Sequence, residues 1–179
     1  MGAGDDHRRR IASALAALGI SAELPKQRCL PLFREAQRLA PVGIGTDGRD
    51  KLLTPVAARA WLAMHRHAAA EGFDLRLVSA FRSVDFQTAL IRAKLERGDA
   101  LDAILRVNAP PGYSEHHTGR AIDIGTGDCP ALDEAFEGTA AFRWLQENAA
   151  RFGFGMSYPR DNPQGFLYEP WHWCYARRG

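Results

Sequence analysis

Residues 114–123, Ser114-Glu115-His116-His117-Thr118-Gly119-Arg120-Ala121-Ile122-Asp123 (SEHHTGRAID), set two adjacent imidazoles seven and six residues ahead of a carboxylate. The second half of the stretch, continued by Ile124 and the turn GTGD, is β-compatible and predicts a strand over 120–124. Gly119 permits a sharp turn directly before that strand. The stretch therefore reads as a loop running into a strand, and it brings His116 and Asp123 to neighbouring points of one unit.

Outward from this unit, helices and strands mix without a regular βαβ rhythm. Upstream, Thr54-Pro55 starts a helix, Thr as N-cap and Pro in the first turn, with Ala58, Trp61, Leu62 and Met64 at helical spacing and Gly72 as its end. FDLRLVSA (73–80) alternates apolar with polar and predicts a strand. Ser83 caps a further helix that stops at Gly98, and a shorter one covers about 100–107. Downstream, Thr139 caps a helix to about Arg151, and 152–156 lead into another strand. The stretch from Pro25 to Gly48, rich in Pro and Gly, reads as an irregular wrap joining an N-terminal helix to the body. This pattern predicts an α+β fold in a single domain, 1–179, with the helix and wrap in 1–50 and the core in 51–179.

Composition narrows the class. Lys and Arg number 23 against 21 Asp and Glu, for a net charge of +2, and no basic stripe is interleaved with aromatics, so nucleic acid is a poor partner. No apolar run approaches the roughly 18 residues of a membrane span. Arg8-Arg9-Arg10 before IASALAALGISA has the outline of a charged n-region and short apolar h-region. Asp5 and Asp6 precede the arginines, however, and Ile11, Leu15 and Leu18 recur at helical spacing, so an amphipathic helix ending at Gly19 accounts for it at least as well. Three scattered cysteines, Cys29, Cys129 and Cys174, make neither a disulfide framework nor a zinc ribbon.

Of the six histidines, His7 lies near the chain start, and His65 and His67 sit two apart on one helix, where they share no face. His116, Asp123 and His172 differ. Imidazole nitrogen and carboxylate oxygen are ordinary Zn²⁺ ligands, and a catalytic zinc takes three from the protein. His172 stands in Glu169-Pro170-Trp171-His172, where Glu169 is near enough to act as base and Pro170 excludes a helix interior. On spacing alone, a metal site and a buried histidine satisfied by a carboxylate both remain open.

SEHHTGRAID fits Ser-x-His-x-x-Gly-x-Ala-x-Asp, and YEPWHWCY fits Glu-Pro-Trp-His followed by an aromatic and a Tyr. With SAFRSVDFQ, these segments resemble the three signatures of the VanY-like D-alanyl-D-alanine carboxypeptidases, zinc enzymes of the LAS peptidase group, in the family's order. The resemblance covers about 75–175 and none of the first fifty residues. It implies a central, mostly antiparallel sheet flanked by helices, a LAS/hedgehog-like metallopeptidase domain. It implies one Zn²⁺ per chain held by His116, Asp123 and His172, with His117 as a neighbour that packs or hydrogen-bonds. Glu169 would take a proton from the attacking water and pass it to the leaving amine. Arg82 would grip the substrate's carboxylate or carbonyl end, and Ser83, Gln87, Ser114 and Tyr158 match substrate-cleft positions. The chain departs from the family where Cys174 and Ser157 replace two common arginines. A disulfide between Cys129 and Cys174 is expected if their strands are neighbours.

The activity implied is removal of the terminal D-Ala from peptidoglycan stem peptides, as a monomer in the periplasm or cell envelope, with a cytoplasmic recycling role the alternative. An L,D-carboxypeptidase, a D-Ala-D-Ala dipeptidase and a non-catalytic zinc-bearing peptide-binding module are the other readings. The presence of Glu169 favours an enzyme, since a binding module needs no base.

Overall fold

A computed structural model describes residues 3–176. Helix α1 (Ala3–Ala17) opens the chain, followed by the single turn α2 (Leu24–Gln27) and a hairpin of β1 (Ala40–Ile44) and β2 (Asp50–Leu53). Then come α3 (Pro55–Ala70), β3 (Arg76–Ser79), α4 (Val84–Glu96) and α5 (Leu101–Val107). The 3₁₀ turn Glu115–Thr118 leads into β4 (Ala121–Gly125), and α6 (Ala140–Asn148), β5 (Phe154–Met156) and β6 (His172–Tyr175) complete the order. Strands β3, β4, β6 and β5 form, in that order, a wholly antiparallel sheet.

Strand β4 is central and buried at every position. Because side chains alternate across a strand, Ile122 and Ile124 enter the main core while Asp123 takes the other face. The same alternation on β6 sends Trp173 into the core and His172 to the face shared with Asp123. Asp123 and His172 sit directly opposite each other in the ladder, as do Ile122 and Trp173. The core face is closed by α3, through Ala57, Ala58, Trp61 and Met64, and by α6, through Phe142, Trp144 and Leu145. A one-residue slip between β4 and β6 would part the two polar side chains and expose the apolar ones, so core packing fixes the site's register.

The amphipathic reading of the N-terminus agrees with the packing of α1. Ile11, Leu15 and Leu18 are buried with Val84 and Ile91 of α4 and Ile104 and Leu105 of α5. Thr54 occupies the N-cap of α3, but its side chain makes no capping bond; its N–H instead donates to the Gly119 carbonyl at 2.8 Å. Ser83 caps α4 through Oγ, which accepts from the Phe86 N–H at 3.0 Å.

The irregular wrap expected over 25–48 is partly ordered. It contains α2 and the strand β1, whose hairpin is tied to β3 by the Thr46 N–H donating to the Leu77 carbonyl at 3.0 Å. Pro41 and Gly43 hide the strand in the sequence, since both residues ordinarily argue against one. Here they flank a register irregularity in a two-stranded ribbon.

Candidate metal centre and catalytic cleft

The turn before β4 is built on Gly119. Its φ is +63°, and a Cβ there would meet Leu39 Cδ2 at 3.0 Å, Ala36 Cβ at 3.1 Å and the Thr54 nitrogen at 3.2 Å. Only glycine satisfies both the left-handed backbone and this close approach. The turn swings His116 back towards the strand it precedes. His116, Asp123 and His172 are all buried, and one potential ligand atom from each lies within 4.8 Å of the other two.

A hydrogen bond decides which nitrogen His116 offers, while both nitrogens of His172 face carboxylates. His116 Nδ1 donates to the Ala80 carbonyl at 2.6 Å, leaving the Nε2 lone pair free. Nε2 is 3.2 Å from Asp123 Oδ2, yet it is buried without a hydrogen-bond partner. His172 Nε2 lies 2.8 Å from Glu115 Oε2, and Nδ1 lies 3.0 Å from Asp123 Oδ1. A buried lone pair facing a carboxylate oxygen is unfavourable unless a cation stands between them. An N, O, N donor set converging from two paired strands and the 3₁₀ turn before them suits zinc, so the residues present fit the ion the resemblance implies.

Electrostatics agree for His116 and Asp123, whereas His172 without a cation beside it is a charged imidazolium that a metal would have to deprotonate. Burial, reinforced by the Arg82 charge, lowers the His116 pKa to about 4 and keeps its imidazole neutral. Burial opposes ionisation of Asp123, but the two imidazoles beside it hold its carboxyl well below the usual range. Burial likewise opposes the protonation of His172, but the carboxylates of Asp123 and Glu115 push it up to about 10.

Glu169 enters from the loop before β6. Its N–H donates to the Tyr158 carbonyl, and its own carbonyl accepts from the His172 N–H, both at 3.1 Å. Trp173 Nε1 donates to the Pro170 carbonyl at 3.0 Å, which fixes the intervening turn. This places Glu169 Oε2 3.9 Å from His172 Nδ1, and burial raises its pKa to about 7. A carboxyl poised there can both accept and return a proton near neutral pH.

Arg82 faces the same cleft. Its side chain, with those of Ser114, His116, Tyr158, Glu169 and His172, lines a narrow pocket of about 20 Å³. Its Nε is buried without a partner, a donor available to an anionic or carbonyl ligand. The backbone of Arg82 is held by the 3₁₀ turn: its N–H donates to the His116 carbonyl at 3.3 Å and its carbonyl accepts from His117 Nδ1 at 2.7 Å. His117 Nε2 accepts from the Gly112 N–H at 3.1 Å, so this buried histidine is a clamp between two loops. From Arg82 and Glu169 a groove of about 720 Å³ runs on between the Thr46–Lys51 turn and α4, past Phe86, Leu90 and Lys94.

Not every residue expected in the cleft lines it. Ser114 and Tyr158 do, the Tyr158 ring lying 4.7 Å from that of His172. Ser83 borders the groove with its hydroxyl engaged as a helix cap. Gln87 is fully buried behind the wall, where Nε2 donates to the carbonyl of Ala109 at 2.8 Å; it braces the lining and does not form it.

The expected Cys129–Cys174 disulfide is absent, and all three cysteines are free thiols. The strands are neighbours but antiparallel. Cys174 therefore pairs with Ala121 at the start of β4, while Cys129 follows that strand's far end. Four residues of extended chain separate Ala121 from Gly125, about 13 Å, well beyond disulfide reach.

Two residues at the site have no assigned part in the sequence reading. Glu115 accepts from His172 Nε2, and Ser157 Oγ donates to the same Glu115 oxygen at 2.6 Å. The available signal was the position of Glu115, a carboxylate directly before His116.

The family model described as VanY, D-alanyl-D-alanine carboxypeptidase, matches residues 50–178. The chain is 40% identical over 168 residues to the putative carboxypeptidase YodJ of Bacillus subtilis, covering 88% of this chain and 60% of that protein. It is 33% identical over 132 residues to the bifunctional D-Ala-D-Ala dipeptidase and carboxypeptidase VanXYC of Enterococcus gallinarum, covering 71% and 68%. The solved structure of the LD-carboxypeptidase LdcB superposes with a TM-score of 0.70 at 32% identity, covering 81% of this chain and 71% of that one. A mutant of the D,D-pentapeptidase VanY in complex with Zn(II) superposes with a TM-score of 0.62 at 26% identity, covering 82% of each. The fold and the converging His, Asp and His thus define a LAS-type metallopeptidase domain, and the chain belongs to the VanY D-alanyl-D-alanine carboxypeptidase family. It spans about three fifths of the length of its Bacillus relative.

Proposed function

We propose that this chain is a zinc-dependent carboxypeptidase that removes the terminal D-Ala from peptidoglycan stem peptides in the cell envelope. The observation that carries the reading is His116 Nε2, buried and unpartnered, facing Asp123 and His172 beside the carboxyl of Glu169. His116 Nε2, Asp123 and His172 Nδ1 would hold the metal. When bound, zinc supplies Lewis-acid polarisation of the scissile carbonyl and makes water acidic enough to ionise near neutral pH.

The chain's own residues do the rest. Glu169 accepts the proton of the attacking water and returns it to the leaving amine, a role suited to its raised pKa. Arg82 offers a guanidinium to the substrate's terminal carboxylate, which forks of this kind bind bidentately. The narrow pocket at Ser114 and Tyr158 has room for a methyl-sized side chain and no larger one, and the groove past Phe86 and Lys94 leaves room for the remainder of a longer peptide. That two-part cleft favours a stem peptide over a free dipeptide.

A second reading, cleavage of the L,D bond of a tetrapeptide, is favoured by the likeness to the LD-carboxypeptidase LdcB. Incubating the zinc-loaded protein with pentapeptide, tetrapeptide and D-Ala-D-Ala, with product masses measured, separates these. Loss of one alanine from the pentapeptide supports the D,D reading, and loss from the tetrapeptide alone supports the L,D reading. Cleavage of none refutes both.

A further inference from the structure

The 3₁₀ turn Glu115–Thr118 presents three consecutive side chains to three parts of the site. His116 faces the metal position, and His117 clamps the backbone of Arg82. Glu115 reaches across to β6, where its Oε2 lies 2.8 Å from His172 Nε2. The same oxygen accepts from Ser157 Oγ at 2.6 Å, and the Glu115 backbone is pinned by Thr118 Oγ1 donating to its carbonyl at 2.6 Å. Ser157 is in turn set beside His172, its N–H donating to the His172 carbonyl at 3.4 Å. Glu115 is thus held at both ends, and its carboxylate points at the one ring nitrogen of His172 that does not face Asp123.

We propose that Glu115 is a positioning residue for the metal centre: its carboxylate, oriented by Ser157, fixes His172 as the Nε2–H tautomer so that Nδ1 is presented to the metal. A neutral imidazole carries its proton on one nitrogen only, and the hydrogen bond at that nitrogen decides which one remains to ligate. A carboxylate acceptor also makes the opposite nitrogen a better donor to a cation, and partners of this kind typically contribute 10–100-fold to metal affinity. The proposal rests on the reading of His116, Asp123 and His172 as the ligand set. Ser157 has a smaller share, because losing its hydroxyl loosens the carboxylate without removing it.

The test is zinc affinity by chelator competition on the full chain, for wild type, Glu115→Gln, Glu115→Ala, Ser157→Ala and His172→Ala. It is joined by the imidazole ¹⁵N–¹H spectrum of the zinc-loaded protein. Wild type is expected to bind one zinc with a single Nε2–H signal from His172. Glu115→Ala weakens zinc binding about 10–100-fold, the isosteric Glu115→Gln by less, and Ser157→Ala by least, with the His172 proton signal broadened or lost in the alanine variant. Glu115→Gln keeps the shape and an acceptor oxygen, so it remains informative if Glu115→Ala fails to fold. Unchanged affinity and an unchanged His172 signal in both Glu115 variants, while His172→Ala loses zinc, would overturn the proposal alone. Wild type that binds no zinc, or binds it equally without His172, would overturn the ligand set and the proposal with it.

Discussion

Replacing Glu169 by Gln should remove activity from the zinc-loaded protein and raise the stability of the metal-free protein, and the structure sets the size and pH window of the stability effect. Burial raises the carboxyl from 4.5 to about 7, outweighing the attraction of the His172 imidazole. A group whose folded pKa is raised binds more protons in the native state, so its contribution to stability falls as pH climbs from 4.5 through 7. At pH 8 the ionised carboxylate costs about 3 kcal/mol relative to its unfolded value. Gln has the same shape and no charge to desolvate. Glu169→Gln and wild type should therefore differ little near pH 4.5. At pH 8 in chelator the variant should melt roughly 6–12 °C higher for a chain of this size. Zinc loading should shrink that gap, because a nearby cation favours the carboxylate. Thermal melts followed by circular dichroism at the two pH values, with and without zinc, measure all of this. A variant that melts lower than wild type at pH 8 in chelator, or a gap independent of pH, would refute the assignment of a desolvated, proton-poised Glu169.

Three further outcomes follow from particular contacts. Gly119→Ala should lose about 1–3 kcal/mol in denaturant unfolding, since φ is +63° and the new methyl meets Leu39, Ala36 and the Thr54 nitrogen at 3.0–3.2 Å. Arg82→Lys should raise KM for peptides with a free terminal carboxylate by about tenfold or more, a lost bidentate contact, and should narrow the difference from the terminally amidated peptide. Thiol titration of unfolded protein purified without reductant should count three free thiols, as the opposite ends of β4 keep Cys129 from Cys174.

Much of the site was legible because its chemistry lies in short contiguous segments. The spacing in SEHHTGRAID follows from one glycine turn feeding one strand, and the strand's alternation fixes the faces of Ile122, Asp123 and Ile124. That Gly119 permits a sharp turn was legible in the sequence; that the turn tolerates no Cβ follows from its packing against Leu39, Ala36 and Thr54. What could not be read was pairing direction. That β4 and β6 are adjacent fitted the expected disulfide, but only their antiparallel register sets Cys174 beside Ala121 and Asp123 beside His172. Strand β1 was hidden by Pro41 and Gly43, whose local preferences are overridden by the hairpin partner and by the bond to Leu77. Gln87 matched a cleft position in sequence, yet its side chain turns to the carbonyl of Ala109. The two departures from the family pattern, Ser157 and Cys174, gained meaning only in three dimensions. Ser157 donates to Glu115, and the Cys174 thiol is pushed up to about 12 by burial and then by the Glu115 charge. Both positions thus look onto the carboxylate of Glu115.

Zinc stoichiometry by elemental analysis, measured together with hydrolysis of stem peptides for wild type, His116→Ala and Glu169→Ala, tests the central claim most directly. The account predicts one zinc per chain and alanine release in wild type, loss of both in His116→Ala, and retained zinc with no release in Glu169→Ala. Full zinc in His116→Ala, or alanine release undiminished in Glu169→Ala, would contradict it.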